Sequence, residues 1–442
     1  MFTVRNDELL EIMKSELVLA LGCTEPGTVA YAAAAAARPL DGEVSSVKLH
    51  VTPGIYKNGA TTFIPSTGKR GLHIAAALGA IAATPEKELM VLENISDTQI
   101  SKAESLIERS AVSVEPVEGA GKNGIYVEAW VRNNQGNTGH SVISGSHNNL
   151  VLVEKDDTVL KCSDITESAP ADGTVLKRLR IDDILSFVES IDLQELFFIN
   201  DSIRVNWEIA QYGIGSDNGL RVGRTLKKLE EGGILGRDVA SYSYMMTTAA
   251  VDVRMGGIPL PAMACGGSGN QGILASVPII AAARQLGIGE EKLLRALALS
   301  YLTTIYAKES LGKLSVLCGC STAAGMGCAA GMTWLMGGDR KQIKGAIHNV
   351  LAGLSGMICD GAKEGCSFKI MSSVFAVVQS SLLALNGVFA TPEDGIIGAT
   401  EQDTIANLTN LSREGMSKAD SVIIGILKEK LCEECVENEK RF

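Results

Sequence analysis

The chain has 442 residues, 46% of them hydrophobic and 21% charged, and a formal net charge of −11. That size and composition fit two or three globular domains with ample core and exclude a disordered chain. The acidic balance, with no long basic run, excludes nucleic acid and anionic membrane as main partners. Ten cysteines without framework spacing fit a reducing compartment. The polar start MFTVRNDELLEIMKSE does not read as a signal peptide, so the expected location is the cytoplasm.

Residues 7–20 predict an amphipathic helix capped by Asn6 or Asp7. LGCTEPG follows, then TVAYAAAAAA, a strong helix former. Pro26 suits a first helical turn, which places Cys23 and Thr24 at a helix N-terminus. Amides and dipole there favour anions and lower the pKa of a thiol, so Cys23 is a candidate base or nucleophile. A plain cap beside an incidental buried cysteine is the structural alternative.

Residues 44–54 alternate as a strand, and IYKNG reads as a turn carrying Lys57 and Asn58. Helices are expected at 71–84 and 96–111. AVSVEPVEG, GIYVEAWVRNN, HSVISGSHNNLVLVEKD and TVLKC then alternate with period two, as strands of an antiparallel sheet. His147, Asn148 and Asn149 interrupt one of them, as a turn or as a substrate contact.

From Ile181 onward the pattern is helical, with no strand expected. Helices fall near 218–231, 236–253, 271–286, 289–307, 321–336, 340–357, 368–386 and 402–430. The uncharged stretches 255–283, 314–338 and 370–392 are long enough to suggest membrane helices. Two prolines and a GGSGNQG loop in the first, small residues in the second and a Gln–Ser–Ser centre in the third read instead as helices buried in a soluble core. The expected fold is α+β. A mostly helical domain combines N-terminal helices at 1–40 with residues 181–442, and a smaller antiparallel-sheet lobe covers 41–180.

The loop MACGGSGNQG at 263–272 opens a helix. Its glycines let backbone amides approach a ligand, and with Ser268, Gly269, Asn270 and Gln271 they suit a carboxylate or a phosphate. It is no Walker or dinucleotide fingerprint. A phosphate cradle for pyridoxal phosphate and a structural turn both remain open.

Residues 318–366 gather Cys318, Cys320, Cys328, Cys359 and Cys366, half of the cysteines. Thiolates suit iron–sulfur clusters, zinc or Cu(I). Three of them could hold three irons of a four-iron cluster and leave the fourth open to substrate. The spacing alone matches no zinc-finger or ferredoxin pattern. Buried cysteine also behaves as a small hydrophobe, the reading preferred for Cys328 in its Ala/Gly helix. Cys359 and Cys366 flank a turn-forming DGAKEG segment that would face both thiols to one point. The terminal pair Cys432 and Cys435 reads as a solvated, charged end.

GCTEPG, YKNG, SGSHNN, ACGGSGNQG, KESLGKLSVLCG and GMICDGAKEGC, in this order over nearly the whole chain, resemble the L-cysteine desulfidases and their bacterial relatives. The second half is more distantly similar to the iron–sulfur L-serine dehydratases. The resemblance implies an oxygen-sensitive [4Fe–4S] lyase without pyridoxal phosphate, splitting L-cysteine into sulfide, ammonia and pyruvate. Carried over, Cys318, Cys359 and Cys366 match the metal ligands, with Cys320 also in reach, and Cys23 matches the catalytic base. Ser268, Gly269, Asn270 and Gln271 match the loop that holds the substrate carboxylate. By position, Glu25 would orient the ammonium group and Thr24 would hydrogen-bond the carboxylate; Lys57, Asn58, His147 and Asn148 complete the substrate-binding set. The alternatives are a serine or other small amino-acid lyase, a pyridoxal phosphate enzyme with its Schiff base on Lys57, Lys308, Lys313 or Lys369, and a non-catalytic metal store or sensor. Expected partners are a small amino acid, with no nucleic acid and no membrane; a homo-oligomer is allowed.

Overall fold

The structure, a computed structural model, describes residues 5–119, 124–163, 173–312 and 314–439, without the side chains of 173, 174 and 431–439. The readings of Lys313 and of the Cys432 and Cys435 thiols lie outside the described residues. Eight strands occur among the described residues: β1 (Val18–Leu21), β2 (Val44–Val51), β3 (Val112–Pro116), β4 (Tyr126–Asn133), β5 (Thr138–Ser144), β6 (Leu150–Lys155), β7 (Thr158–Cys162) and β8 (Pro261–Ala264). The fold is α+β with a helical majority.

The chain divides into two units. One comprises Cys23–Ser168, Cys359–Ala362 and Arg413–Phe442; the other comprises Met1–Gly22, Ala169–Ile358 and Lys363–Ser412. The first is built on a six-stranded sheet of order β3-β2-β4-β5-β6-β7. Its register sets Val47 opposite Val131, Leu49 opposite Ala129 and Val51 opposite Val127. All six are buried, because period-two alternation puts them on one face. That face meets the helices Thr24–Ala37 and Leu72–Ala82. The alanine run of the first helix answers a packing demand: a Cβ on Gly79 would collide with the Ala30 carbonyl, and one on Gly139 with the Ala36 carbonyl. Only small residues on both sides allow backbones so close.

Several sequence expectations need correction here. The sheet is mixed, since β2 and β3 run parallel; the helices between them form the long connection that a parallel pair requires. The segment IYKNG is no open turn but the helix Pro53–Gly59, begun by a proline at a position that tolerates it. Residues 23–40 belong with the sheet rather than with the N-terminal segment, because the helix Thr24–Ala37 spends its buried surface there.

In the helical unit the first helix stops at Glu16 rather than near residue 20. Residues 18–21 leave it to form β1, antiparallel to β8, with Val18 opposite Ala264 and Leu21 opposite Pro261. So a strand does exist beyond Ile181. The helices Gly269–Leu286, Glu290–Leu311 and Gly325–Leu335 are buried over most of their length. A π-helical turn, Cys320–Ala324, precedes the third. The helix expected at 402–430 is broken into Glu401–Asn410, a π-helical turn at Leu411–Gly415, and Ala419–Glu439. Cys366–Leu385 is long and apolar enough to cross a bilayer by length and composition. It packs against the helices Val239–Met255, Gly325–Leu335 and Arg340–Leu354.

Candidate active site

In the sheet unit, Cys23 stands at the N-cap of the helix Thr24–Ala37, in extended conformation. Its neighbour Gly22 has φ +65°, a left-handed value that suits glycine. The Cys23 Sγ donates to Glu25 Oε2 at 2.7 Å, and Thr24 Oγ1 donates to the same oxygen at 3.2 Å. Asn58 Nδ2 donates to Glu25 Oε1 at 2.8 Å. The Cys359 Sγ in turn donates to Asn58 Oδ1 at 3.7 Å, a long sulfur contact. A hydrogen-bonded run thus joins Cys23, Glu25, Asn58 and Cys359, whose sequence positions span more than three hundred residues.

The short segment carrying Cys359 is hung on the helix Pro53–Gly59 and the residues after it. The Ala362 amide donates to the Asn58 carbonyl at 3.2 Å, and Thr62 Oγ1 donates to the Ala362 carbonyl at 2.8 Å. Gly361, at φ +99°, lies against the Lys57 carbonyl where a Cβ has no room.

Glu25 is buried. Burial pushes its carboxyl up, but the His147 charge and hydrogen bonds from Cys23, Asn58 and its own amide outweigh this and leave it below its ordinary value of 4.5. It is therefore an ionised acceptor at neutral pH. His147 belongs to this group by its electrostatic contact with Glu25. Asn148 does not: it is exposed, and its Nδ2 donates to Glu88. Lys57 is buried, and its ammonium forms an ion pair with Asp420 at 2.7 Å. Thr24 and Glu25, expected to face the substrate, both hydrogen-bond within the Cys23 network in this structure.

In the helical unit, Ser268 is the N-cap of the helix Gly269–Leu286, after Gly266 and Gly267 at positive φ. Asn270 accepts from Arg254 Nη1 at 2.9 Å, and Arg254 Nη2 donates to the Gly22 carbonyl. Arg254, 3% exposed, thereby ties the loop to the residue that precedes Cys23 in the chain. Gly269 is required there, because a Cβ would strike the Arg254 guanidinium. Gln271 is buried, and its Oε1 finds no hydrogen-bond partner among the described residues.

The Cys318 amide donates to the Met357 carbonyl at 2.8 Å, and Leu317 bridges Ile358, the residue before Cys359. A hydrogen bond from Cys320, opposed by burial and aided by Ser321 and by Lys369, lowers the Cys318 thiol to about 5. Cys318 is thus a thiolate at neutral pH. Lys369 Nζ donates to the Ile358 carbonyl at 2.8 Å and lies one turn along the helix from Cys366. Ser367, next to Cys366, donates to Asp252 Oδ1 at 2.6 Å. Cys359 falls in the sheet unit, and Cys318 and Cys366 in the helical one. Among the described residues no group of three or more His, Cys, Asp or Glu side chains is arranged to hold a metal ion.

Sequence reasoning passed over Arg254, and weighed Lys308 only as a Schiff-base lysine. The signal was present: Asp252 and Arg254 are the only charges inside the otherwise uncharged last three turns of the helix Val239–Met255.

The model of the serine dehydratase alpha-chain family matches residues 86–425. A UPF0597 protein of Clostridioides difficile is 38% identical over 425 residues, 95% of this chain and 99% of its own length. A UPF0597 protein of Caldanaerobacter subterraneus subsp. tengcongensis is 40% identical over 431 residues, 97% of this chain and 100% of its own length. One from Clostridium tetani is 39% identical over 428 residues, 96% of this chain and 99% of its own length. The chain belongs to the serine dehydratase alpha-chain family, a family of lyases.

Proposed function

We propose that the chain is a [4Fe–4S]-dependent lyase, working without pyridoxal phosphate, that eliminates sulfide from L-cysteine and yields ammonia and pyruvate. The observation that carries this reading is the run Cys23–Glu25–Asn58–Cys359. It joins a thiol at a helix N-terminus to a buried ionised carboxylate, and that carboxylate to a second thiol. The donor chemistry suits iron: Cys318 is already in the thiolate form that soft metals bind. Cys318, Cys359 and Cys366 would hold the cluster. When bound, it would supply an iron with an open position, a Lewis acid for the departing sulfur.

The chain's own residues account for the proton. Glu25 Oε2 accepts the Cys23 thiol hydrogen bond and sets where the sulfur points, and Asn58 holds the other carboxylate oxygen so that the acceptor stays aimed. Cys23, in its thiolate form at the helix N-terminus, removes the α-proton as general base. The electron pair of that C–H bond becomes the Cα=Cβ bond, while the Cβ–S bond breaks and its pair leaves on sulfur. The resulting enamine tautomerises to an imine, and water releases ammonia and pyruvate. The His147 charge beside Glu25 holds the carboxylate ionised.

A second reading takes L-serine as substrate, with hydroxide leaving in place of hydrosulfide; the family's description favours it. Anaerobically reconstituted protein, assayed for pyruvate with each amino acid, decides. Turnover of L-serine with none of L-cysteine would reject the first reading. Cys23→Ala should lower turnover by about 10²- to 10⁴-fold, the range for a lost general base, with iron content unchanged. A variant as active as wild type would remove Cys23 from the chemistry.

A further inference from the structure

We infer that Lys308 and Gln271 form the subsite for the charged end of an amino acid, Lys308 for its carboxylate and Gln271 Oε1 for its ammonium group. This rests on the amino-acid substrate proposed above; it adds Lys308, and it gives the ammonium group to Gln271, which the motif reading had placed in the carboxylate loop.

Lys308 is 4% exposed, inside the helix Glu290–Leu311. Gln271 is 5% exposed, and its Oε1 is a buried acceptor to which no described group donates. Native interiors seldom leave such an atom unsatisfied, and a ligand carrying N–H donors would satisfy it. A phosphate or a bare carboxylate has no such donor.

The two side chains meet at one place. A Cβ on Gly319 would lie 3.1 Å from Gln271 Nε2 and 3.2 Å from Lys308 Nζ. A Cβ on Gly266 would lie 3.3 Å from Lys308 Cγ and 3.7 Å from Gln271 Oε1. Two glycines thus line the pair where any larger residue would crowd it. Gly319 is the residue between Cys318 and Cys320, so the pair lies against that turn of the chain. A carboxylate entering so buried a place needs a cation, which Lys308 supplies. A neutral amide can accept from an ammonium group without itself adding a charge. Arg254 fixes the next residue in the loop through Asn270, so the Gln271 amide starts from a rigid backbone.

The test is calorimetric titration of the full-length chain, with and without anaerobic reconstitution. L-Alanine is the probe, because it has no leaving group. Propionate lacks the ammonium group and ethylamine lacks the carboxylate. Wild type should bind L-alanine more tightly than either fragment. Lys308→Met should weaken L-alanine by about 10- to 100-fold, the loss expected for a charged hydrogen bond, and Lys308→Arg should recover part of it. Gln271→Leu should abolish the preference for L-alanine over propionate. No L-alanine binding by wild type, an unchanged affinity in Lys308→Met, or an unchanged preference in Gln271→Leu would each overturn the inference. Should Lys308→Met fail to fold, Lys308→Arg and Gln271→Leu carry the decision. Sulfide release from L-cysteine separates the two claims. Turnover with an unaltered KM in Lys308→Met rejects the subsite alone. Binding that Lys308→Met loses, without sulfide release by wild type, rejects the lyase reading alone.

Discussion

Two buried cysteines show how surroundings decide what a thiol does. Cys328, inside the helix Gly325–Leu335, has only burial acting on it, and its thiol is pushed far up. It packs as a small hydrophobe, as its Ala/Gly context suggests. Cys318, also buried, is drawn down to about 5 chiefly by Cys320. In metal-free folded protein, thiolate absorbance should therefore titrate with a midpoint near pH 5. That step should vanish in Cys318→Ser and move up in Cys320→Ser; a wild type titrating only around its ordinary value of 9.0 contradicts it. Glu25 works in the same sense. Its folded pKa lies below 4.5, so the unfolded chain binds the proton more readily. The stability it contributes is complete above 4.5 and is lost as pH falls through the folded value. Acid unfolding of Glu25→Gln should depend less on pH in that window than acid unfolding of wild type. Cys23, Glu25, Asn58 and Cys359 were legible because each sits in a short motif. Arg254 showed only as a charge in an apolar stretch, and its partners Asn270 and the Gly22 carbonyl came from the fold, as did the place of Lys308 beside Gln271.

Secondary-structure elements followed the local pattern where packing agreed with it. Strands β2 and β4 alternate as their letters do, and Val47, Leu49 and Val51 of one and Val127, Ala129 and Val131 of the other are buried; β5 does not, since it buries Gly139 and Ser141 along with Val142 and Ile143. The pairing of β1 with β8 was illegible, because four-residue segments carry no periodicity and their partners lie some 240 residues apart. The π-helical turn at Cys320–Ala324 was likewise hidden, since its composition reads as ordinary helix. The alanine run in Thr24–Ala37 announced a helix but not why it is alanine. The answer is the close approach of Gly79 and Gly139, which makes a test. Gly139→Ala should cost about 1–3 kcal/mol by overpacking, read as a lower midpoint in urea. An unchanged midpoint would mean the backbones do not approach so closely.

For the whole molecule, the helical majority was evident in the unbroken run of helical pattern after Ile181. The return of Cys359–Ala362 and Arg413–Phe442 to the sheet unit was not. Those returns rest on contacts between remote residues, such as Ala362 on Asn58 and Lys57 on Asp420. Lys57 is 1% exposed at its side chain and Asp420 is 26% exposed, so Asp420→Ala leaves an ammonium buried beside an emptied position. It should destabilise the chain by about 3 kcal/mol, and Lys57→Met in the same protein should recover much of that loss. Equal stability of Asp420→Ala and wild type in denaturant would show the ion pair to be dispensable.

Sulfur from two parts of the chain is asked to hold one cofactor, and composition of the purified protein answers that directly. Iron and acid-labile sulfide are to be measured after anaerobic reconstitution of wild type beside Cys359→Ser. The expected result is about four of each per wild-type chain, with a brown chromophore, and a large loss of both in the variant. Iron and sulfide equal in the two proteins, or absent from wild type, would contradict it.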